Sequence, residues 1–333
     1  MTDTILANQA LADRKHAGTW QLFLGLLAAV TVLPFGLVPV VAHMVPEGSP
    51  ALYAYGLILF LSTNFHVAST GWFFTDREMR GHLRAHPLRY AVAPLAVIAA
   101  CAAGFQWLGP AVADGIVVVF VGWLLWHYQK QNIGLLSFVA AGTDGVPLSL
   151  WERRTLLLTA VAGIAGVFSA TQVAPAYLSN EAARLHELGV IVYLLVPVCV
   201  AVAVVKSASL RANRLRLFFF LVGASFYLPV YIFADPVSAI TGSATAHGLQ
   251  YLVFMGTVSG SGQRSLKPVL VMLAIAGAGA LALNYAADAG GALKGLFVGG
   301  VMAHFIVDAG IWRLREVFQR GYMRRKFYFV FDR

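Results

Sequence analysis

Charged residues are scarce in this sequence: Asp, Glu, Lys and Arg make up 12% of its 333 residues. Hydrophobic residues make up 59%, and the mean hydropathy is +0.73, whereas soluble domains are about half apolar. The apolar residues form blocks of about 20, which is the length of helix that crosses a bilayer. Connections between the blocks do not exceed about 15 residues. A soluble enzyme is therefore excluded, and no connection is long enough for a separate catalytic domain.

Cysteine and intramembrane carboxylates are also rare. Cys101 and Cys199 lie in different apolar segments, so neither a CxxC site nor a disulfide framework is supported. Cysteine and methionine are not clustered with the histidines as a soft copper site requires. Asp308 is the only carboxylate in the inner half of a predicted span. A carboxylate-bridged di-iron centre, which needs several inward carboxylates, is therefore disfavoured.

The hydropathy pattern predicts an all-α fold, a polytopic membrane bundle of about ten helices. We expect a cytoplasmic segment at 1–18, a single transmembrane domain at 19–316 and a basic-aromatic cytoplasmic tail at 317–333. The predicted spans are 19–43, 51–74, 88–109, 112–140, 153–173, 183–205, 213–234, 236–259, 267–286 and 291–314.

The net charge of +9 follows membrane topology and does not indicate nucleic-acid binding. Lys and Arg concentrate on alternate connections, as the positive-inside rule describes, so both termini are expected to be cytoplasmic. The pattern suits a bacterial-type inner or plasma membrane, with the lipid bilayer as the main partner. The tail mixes cations with aromatics and is expected to lie on the anionic membrane surface. The cations that set this orientation are Arg14, Lys15, Arg77, Arg80, Arg84, Arg89, Arg153, Arg154, Lys206, Arg211, Arg214, Arg216, Arg264, Lys267 and those of the tail, including Arg333.

Small residues recur every four positions at Gly291, Gly295, Gly299 and Ala303. This spacing places them on one helix face, where another helix can approach closely. That helix could belong to the same chain or to a second copy in a homo-oligomer. Pro229, inside a predicted span, is expected to kink its helix.

Four histidines lie inside predicted spans: His66, His127, His247 and His304. Each is roughly 9–13 residues from the same end of its span, so at about 1.5 Å per residue all four share one depth. Ionisable residues inside a membrane are costly and mark candidate functional sites. We predict that these four imidazoles are metal ligands. Whether His43 or His186 takes part is left open, since both lie near outer helix ends; His16, His82 and His86 lie at the cytoplasmic side.

Each histidine has a polar neighbour on its own helix face. The neighbours are Thr63 and Thr70 for His66, Lys130 and Gln131 for His127, Ser243 and Gln250 for His247, and Asp308 for His304. Because a metal-bound imidazole usually donates its second nitrogen to an oxygen acceptor, we predict Asp308, Gln131 and Gln250 as orienting, cofactor-binding residues. Lys130 and Asp308 are the candidate catalytic residues. Lys130 would stabilise an anionic oxygen, or alternatively extend to the aqueous interface.

Several functions fit this pattern. The leading hypothesis is an iron-dependent oxidoreductase or oxygenase, with non-haem iron, that acts on a lipid-soluble substrate reached through the bilayer. The first alternative is a haem b protein for electron transfer or haem handling, in which the histidines are axial ligands. The second alternative is a transporter or proton-coupled channel lined by the same residues. It is also open whether the four histidines only form independent hydrogen bonds between helices.

Overall fold

The structure is a computed structural model that describes residues 2–44, 49–170, 179–233, 236–261 and 266–331. The described residues are 89% helical and contain no strand, which confirms the all-helical class. The α-helices are α1 Thr2–Met44, α2 Pro50–Phe60, α3 His66–Ser69, α4 Arg77–Ala85, α5 Ala93–Trp107, α6 Pro110–Ala141, α7 Leu150–Ala170, α8 Ser179–Leu194, α9 Val196–Lys206, α10 Ala208–Ala212, α11 Arg214–Ala224, α12 Pro229–Ile232, α13 Pro236–Gly260, α14 Lys267–Asp288, α15 Gly291–Ile311, α16 Val317–Lys326 and α17 Tyr328–Phe331.

In the described part of the chain, seven helical segments are long and apolar enough to cross a membrane, which identifies an integral membrane protein. They are Gly18–Val38, Gly56–Phe74, Leu88–Trp107, Pro110–Ala141, Asn180–Lys206, Lys267–Asp288 and Gly291–Ile311. Two further predicted spans coincide with α7 and α13, of 21 and 25 residues, which are helical but are not among the seven. The described residues therefore show seven such segments, and the count of about ten stays a prediction.

The predicted span 213–234 is not one continuous helix. It is interrupted between α11 and α12, and Pro229 begins the second piece. Proline has no N–H and begins a separate helix here, and the carbonyls at the end of α11 and just after it have no partner within the helix. Side chains of neighbouring helices satisfy them: Gln129 Nε2 donates to Gly223 O at 3.0 Å, Tyr193 OH to Ala224 O at 3.1 Å, and Ser243 Oγ to Phe226 O at 2.9 Å.

The small-residue face of α15 packs on α5 of the same chain. A Cβ atom at Gly295 would lie 2.5 Å from the carbonyl oxygen of Cys101, and one at Gly299 would lie 2.6 Å from the Cα of Ile98. Only glycine allows the two backbones to come this close. This face is therefore filled within the chain and is not free to bind a second copy.

One side of the C-terminal tail packs against the helical bundle, while Arg320, Arg324 and Arg325 are exposed, and its position on a lipid surface stays a prediction. Phe327, Phe329 and Val330 are buried, and the two phenylalanine rings contact Phe23 of α1. Aromatic pairs of this kind add to the burial of apolar area. The tail therefore packs into the helical core near one end of the bundle.

Arg216, expected in a charged connection, is fully buried at 0% exposure. Its guanidinium donates to Glu152 Oε1 at 2.9 Å and to Asp144 Oδ1 at 3.0 Å. A buried charge is tolerated only when it is paired and hydrogen-bonded. This cluster therefore ties the connection before α7 to the start of α11 and is structural.

Some predicted features fall outside the described residues. Arg264 and Arg333 are among them, and so are the side chains of Arg14, Lys15, His16 and His43. The described helices show the length and composition of the segments. The direction in which these segments insert into the membrane stays a prediction.

Candidate metal centre

The four predicted histidines come together inside the bundle. They are carried by α3, α6, α13 and α15, and each is between 1% and 7% exposed. Ring centroids are 5.0 Å apart for His66 and His247 and for His127 and His247, and 5.4 Å apart for His66 and His304 and for His127 and His304. The contacts form a closed ring in the order His66, His247, His127, His304. We call this arrangement the histidine ring.

Most nitrogens of the histidine ring have no hydrogen-bond partner. Buried polar atoms in proteins are nearly always hydrogen-bonded, so a cluster of unpartnered ones needs a physical explanation. A metal ion between the imidazoles would bind such nitrogens directly. The buried ring nitrogens without a partner among the described residues are Nδ1 and Nε2 of His66, Nε2 of His127, Nδ1 and Nε2 of His247, and Nε2 of His304.

The spacing of the rings fits imidazoles around one ion. A metal–nitrogen bond is about 2.0–2.1 Å, which puts neighbouring ring centres about 4.5–5.3 Å apart for bond angles between a right angle and the tetrahedral angle. The observed spacing of 5.0 Å lies within this range, and the spacing of 5.4 Å lies slightly above it. The centroid spacing is compatible with imidazoles around one ion, whereas the ligand atoms that already lie within 4.8 Å of one another belong to His127, His304 and Asp308 and not to His66 or His247.

Asp308 places a carboxylate beside two of the four imidazoles. Ligand atoms of His127, His304 and Asp308 lie within 4.8 Å of one another, the one group of this kind in the described part of the chain. Asp308 Oδ2 is 3.9 Å from His127 Nε2, and Oδ1 accepts a hydrogen bond of 2.6 Å from Trp312 Nε1. Two histidines and a carboxylate are the ligand set of many non-haem iron oxygenases. The sequence identified Asp308 as an orienting residue, whereas its position also suits a direct ligand.

The close approach of Gly248 to the segment before His66 brings His247 and His66 together. The segment before His66 contains a π-helical turn, Leu61–Phe65, and π turns are frequent at functional sites. A Cβ atom at Gly248 would lie 1.7 Å from the carbonyl oxygen of Ser62 in this turn. Since real Cβ contacts are never so short, only glycine lets α13 reach the turn. His247, the preceding residue, is thereby placed against His66.

Aromatic rings hold two of the imidazoles in their planes. Phe305 stacks on His127 with centroids 4.5 Å apart, and Tyr128 stacks on His247 with centroids 4.2 Å apart. Packing of this kind restricts ring rotation. Phe305 and Tyr128 therefore have packing roles beside the histidine ring.

Thr70 is a residue whose contact the sequence did not predict. Its hydroxyl is 2.7 Å from His304 Nδ1 and 2.8 Å from the hydroxyl of Tyr251. Sequence spacing assigned Thr70 to His66 on its own helix, but the real partner is on α15. Because Nδ1 is engaged by Thr70, Nε2 of His304 is the nitrogen left for a metal.

Replacing Thr70 with valine is expected to weaken metal binding by roughly tenfold to a hundredfold, the usual cost of removing an orienting hydrogen bond. Thr70→Ser keeps the hydroxyl and should restore binding. Thr63→Val is a matched control, because Thr63 Oγ1 donates to the carbonyl of Leu59 on its own helix. Metal titration of the three variants measures the effect; equal weakening in both valine variants would contradict the assignment.

Neither Gln131 nor Gln250 forms a hydrogen bond to an imidazole nitrogen. Gln131 Nε2 donates to the backbone carbonyl of His247 at 2.8 Å and to Gln250 Oε1 at 2.9 Å. Gln250 Nε2 donates to Thr31 Oγ1 at 3.0 Å. The two amides therefore connect α6, α13 and α1 behind the histidine ring.

Lys130 does not pair with Asp308. Its side chain is exposed, and no hydrogen bond or ion pair joins its ammonium group to another described residue. This position fits the alternative in which Lys130 extends to the aqueous interface. His186 lies elsewhere, with its ring 5.5 Å from that of Tyr231.

A cavity of about 600 Å³ opens next to the histidine ring. Its buried end is formed by His127, Asp308 and Tyr251. Lys130 and Arg153 are exposed at the other end. Pockets that enclose small ligands usually measure about 300–1,000 Å³, so the cavity has the size of a substrate site.

Comparison with known proteins gives no relative for this centre: no protein-family model matches the chain, and neither curated proteins nor solved structures match it significantly.

Proposed function

We propose that the chain is a membrane metalloenzyme, an iron-dependent oxidoreductase or oxygenase that acts on a lipid-soluble substrate. The observation that carries the proposal is the histidine ring, in which six of the eight nitrogens are buried without a hydrogen-bond partner among the described residues. Four independent interhelical hydrogen bonds, one from each imidazole, would leave four of the eight ring nitrogens unpartnered, whereas six are unpartnered among the described residues, which argues against a purely structural role.

Iron is favoured over other metals by the donor set. Imidazole with one carboxylate suits iron, and two histidines with a carboxylate are characteristic of non-haem Fe(II) oxygenases with open coordination positions. Cys101 is hydrogen-bonded to Met302 at 3.8 Å. Iron held there would supply the dioxygen or electron-transfer chemistry. The cofactor proposed is non-haem iron.

The protein residues around the ring have distinct roles in this proposal. His66, His127, His247 and His304 are ligands, and Asp308 is a fifth ligand or a base beside them. Thr70 orients the imidazole of His304 through its contact with Nδ1, and Phe305 and Tyr128 fix ring planes. The adjoining cavity admits the substrate and limits water at its buried end.

The haem alternative is less well supported. A haem iron with two axial histidines has a flat macrocycle between them, so the two imidazoles lie on opposite faces of a wide plate. The closed ring of imidazoles, with neighbouring centroids at 5.0–5.4 Å, offers no such slot between its members. This spacing supports a compact non-haem centre.

Metal analysis of the detergent-purified protein, combined with its visible spectrum, tests the proposal. We expect about one iron per chain and no Soret band. A strong Soret band would overturn the non-haem assignment in favour of haem b. Absence of any metal from protein grown and purified with iron would overturn the metalloenzyme and favour the transporter, for which flux in proteoliposomes is the further test.

The membrane and the orientation are also part of the proposal. The distribution of Lys and Arg supports a bacterial-type inner or plasma membrane with both termini in the cytoplasm. Cysteine-accessibility labelling at the two termini of spheroplasts checks this orientation. Labelling of either terminus from outside would contradict it.

A further inference from the structure

The cavity beside the histidine ring has an uneven distribution of charge. Among the described residues that line it, the cations are Lys130, Arg153, Arg313 and Arg315, and the only carboxylate is Asp308. Asp308 is at the buried end, while Lys130, Arg153 and Arg315 are exposed. An excess of positive charge at the open end attracts an anion and concentrates it there.

Three of these cations have no carboxylate partner among the described residues. Arg153 donates to the backbone carbonyl of Leu148 at 3.4 Å, and Arg313 donates to that of Ala309 at 3.1 Å. Lys130 has no side-chain partner there, whereas Arg315 lies 3.6 Å from Glu316. The remaining N–H donors of Lys130, Arg153 and Arg313 are therefore available to a ligand.

The walls between the open and buried ends are mainly aromatic. Trp123, Phe305 and Phe254 line the cavity, and Phe305 contacts His127 directly. Such walls bind a hydrocarbon chain by excluding water from it. From its open end to its buried end, the cavity thus has cationic side chains, an apolar wall and the candidate metal centre.

We propose that the cavity binds a single-chain amphipathic carboxylate, with its headgroup at Lys130, Arg153 and Arg313 and its hydrocarbon chain directed to the histidine ring. The inference rests on the proposed function and names the substrate class of that site. The volume of about 600 Å³ suits one small ligand and not a two-chain phospholipid. A carboxylate also matches the bidentate geometry of the two arginines.

Quenching of tryptophan fluorescence by brominated fatty acid tests this proposal, since Trp123, Trp126 and Trp312 line the cavity. The full chain is placed in nanodiscs of zwitterionic phosphatidylcholine at pH 8, both as purified and after metal removal. The matched probe is the brominated alcohol of the same chain length. We expect the acid to bind roughly tenfold or more tightly than the alcohol, because a hydrogen bond to a charged group is lost in the alcohol.

Lys130→Met and Arg313→Gln are each expected to reduce this preference for the acid by several-fold, and the double variant should abolish it. Arg84→Met is the matched control, because Arg84 is exposed and does not line the cavity. Equal affinity for acid and alcohol in the unchanged protein would overturn the proposal. An equal loss in Arg84→Met would also overturn it, since the preference would then come from general surface charge.

Anionic phospholipid added to the nanodiscs separates the two sources of an anionic headgroup. Full retention of fatty-acid binding supports the single-chain ligand, whereas displacement by phosphatidylglycerol would overturn it. The measurements on metal-depleted protein separate this inference from the proposed function. Acid preference without any bound metal in purified protein would contradict the metalloenzyme alone, and metal without acid preference would contradict the ligand assignment alone.

Discussion

Replacing His247 with alanine is expected to reduce bound iron from about one per chain to below about a tenth. His247 contributes two buried ring nitrogens without partners, and its ring contacts both His66 and His127. Loss of one imidazole removes a ligand bond and leaves a gap that water can enter. The same result is expected for alanine at His66, His127 and His304. Inductively coupled plasma mass spectrometry on each purified variant measures the effect.

His86→Ala is the matched control for this series. His86 is exposed, and its Nδ1 interacts with the backbone carbonyl of His82 on its own helix. Iron content should be unchanged in this variant. Full metal content in all four ring variants, with His86→Ala identical to them, would show that the histidine ring does not hold the metal.

Replacing Gly248 with alanine is expected to destabilise the fold and the centre together. The added Cβ would lie 1.7 Å from the carbonyl oxygen of Ser62, and a backbone atom cannot move away as a flexible side chain can. Overpacking of this kind costs roughly 1–3 kcal/mol and occasionally more. Because the displaced helix carries His247, metal affinity should fall as well. Thermal unfolding, followed by tryptophan fluorescence with and without iron, measures both effects.

Gly256→Ala is a control on the same helix. A Cβ there meets nothing within 4 Å, so the substitution should be neutral or stabilising by up to about 1 kcal/mol through helix propensity. Unchanged stability and metal content in Gly248→Ala would contradict the close approach of α13 to the π turn. A loss of stability without a loss of metal would separate the packing role of Gly248 from the geometry of the centre.

The sequence was sufficient to find the members of the histidine ring, although their ligand role stays a prediction. Helix rise and span length placed the four residues at one depth, and the cost of burying imidazole in a membrane made them candidates. The contacts between them depend on which helices are adjacent, and depth alone does not determine that. The contact between Thr70 and His304 shows the difference, because i+3 and i+4 spacing relates only residues on one helix.

Other structural features depend on contacts between residues that are far apart in the sequence. A hydropathy profile carries no information about such contacts. Arg216 resembles a surface cation until Glu152 and Asp144 are found beside it. The basic-aromatic tail has a composition that suits either a lipid surface or a protein core. In the structure, Phe327 and Phe329 contact the ring of Phe23 on α1. Pro229 predicted a distortion in its span. The extent of the break depends on three side chains of other helices, which donate to the free carbonyls at the end of α11 and just after it.

X-ray absorption at the iron K edge of the purified protein tests the central claim most directly, because it reports the atoms bound to the metal. We predict a first shell of nitrogen and oxygen with the outer-shell scattering of several imidazoles, and a decrease of that scattering in His66→Ala reconstituted with excess iron. A sulfur shell, or a spectrum without imidazole scattering, would contradict the account and assign the metal to another site.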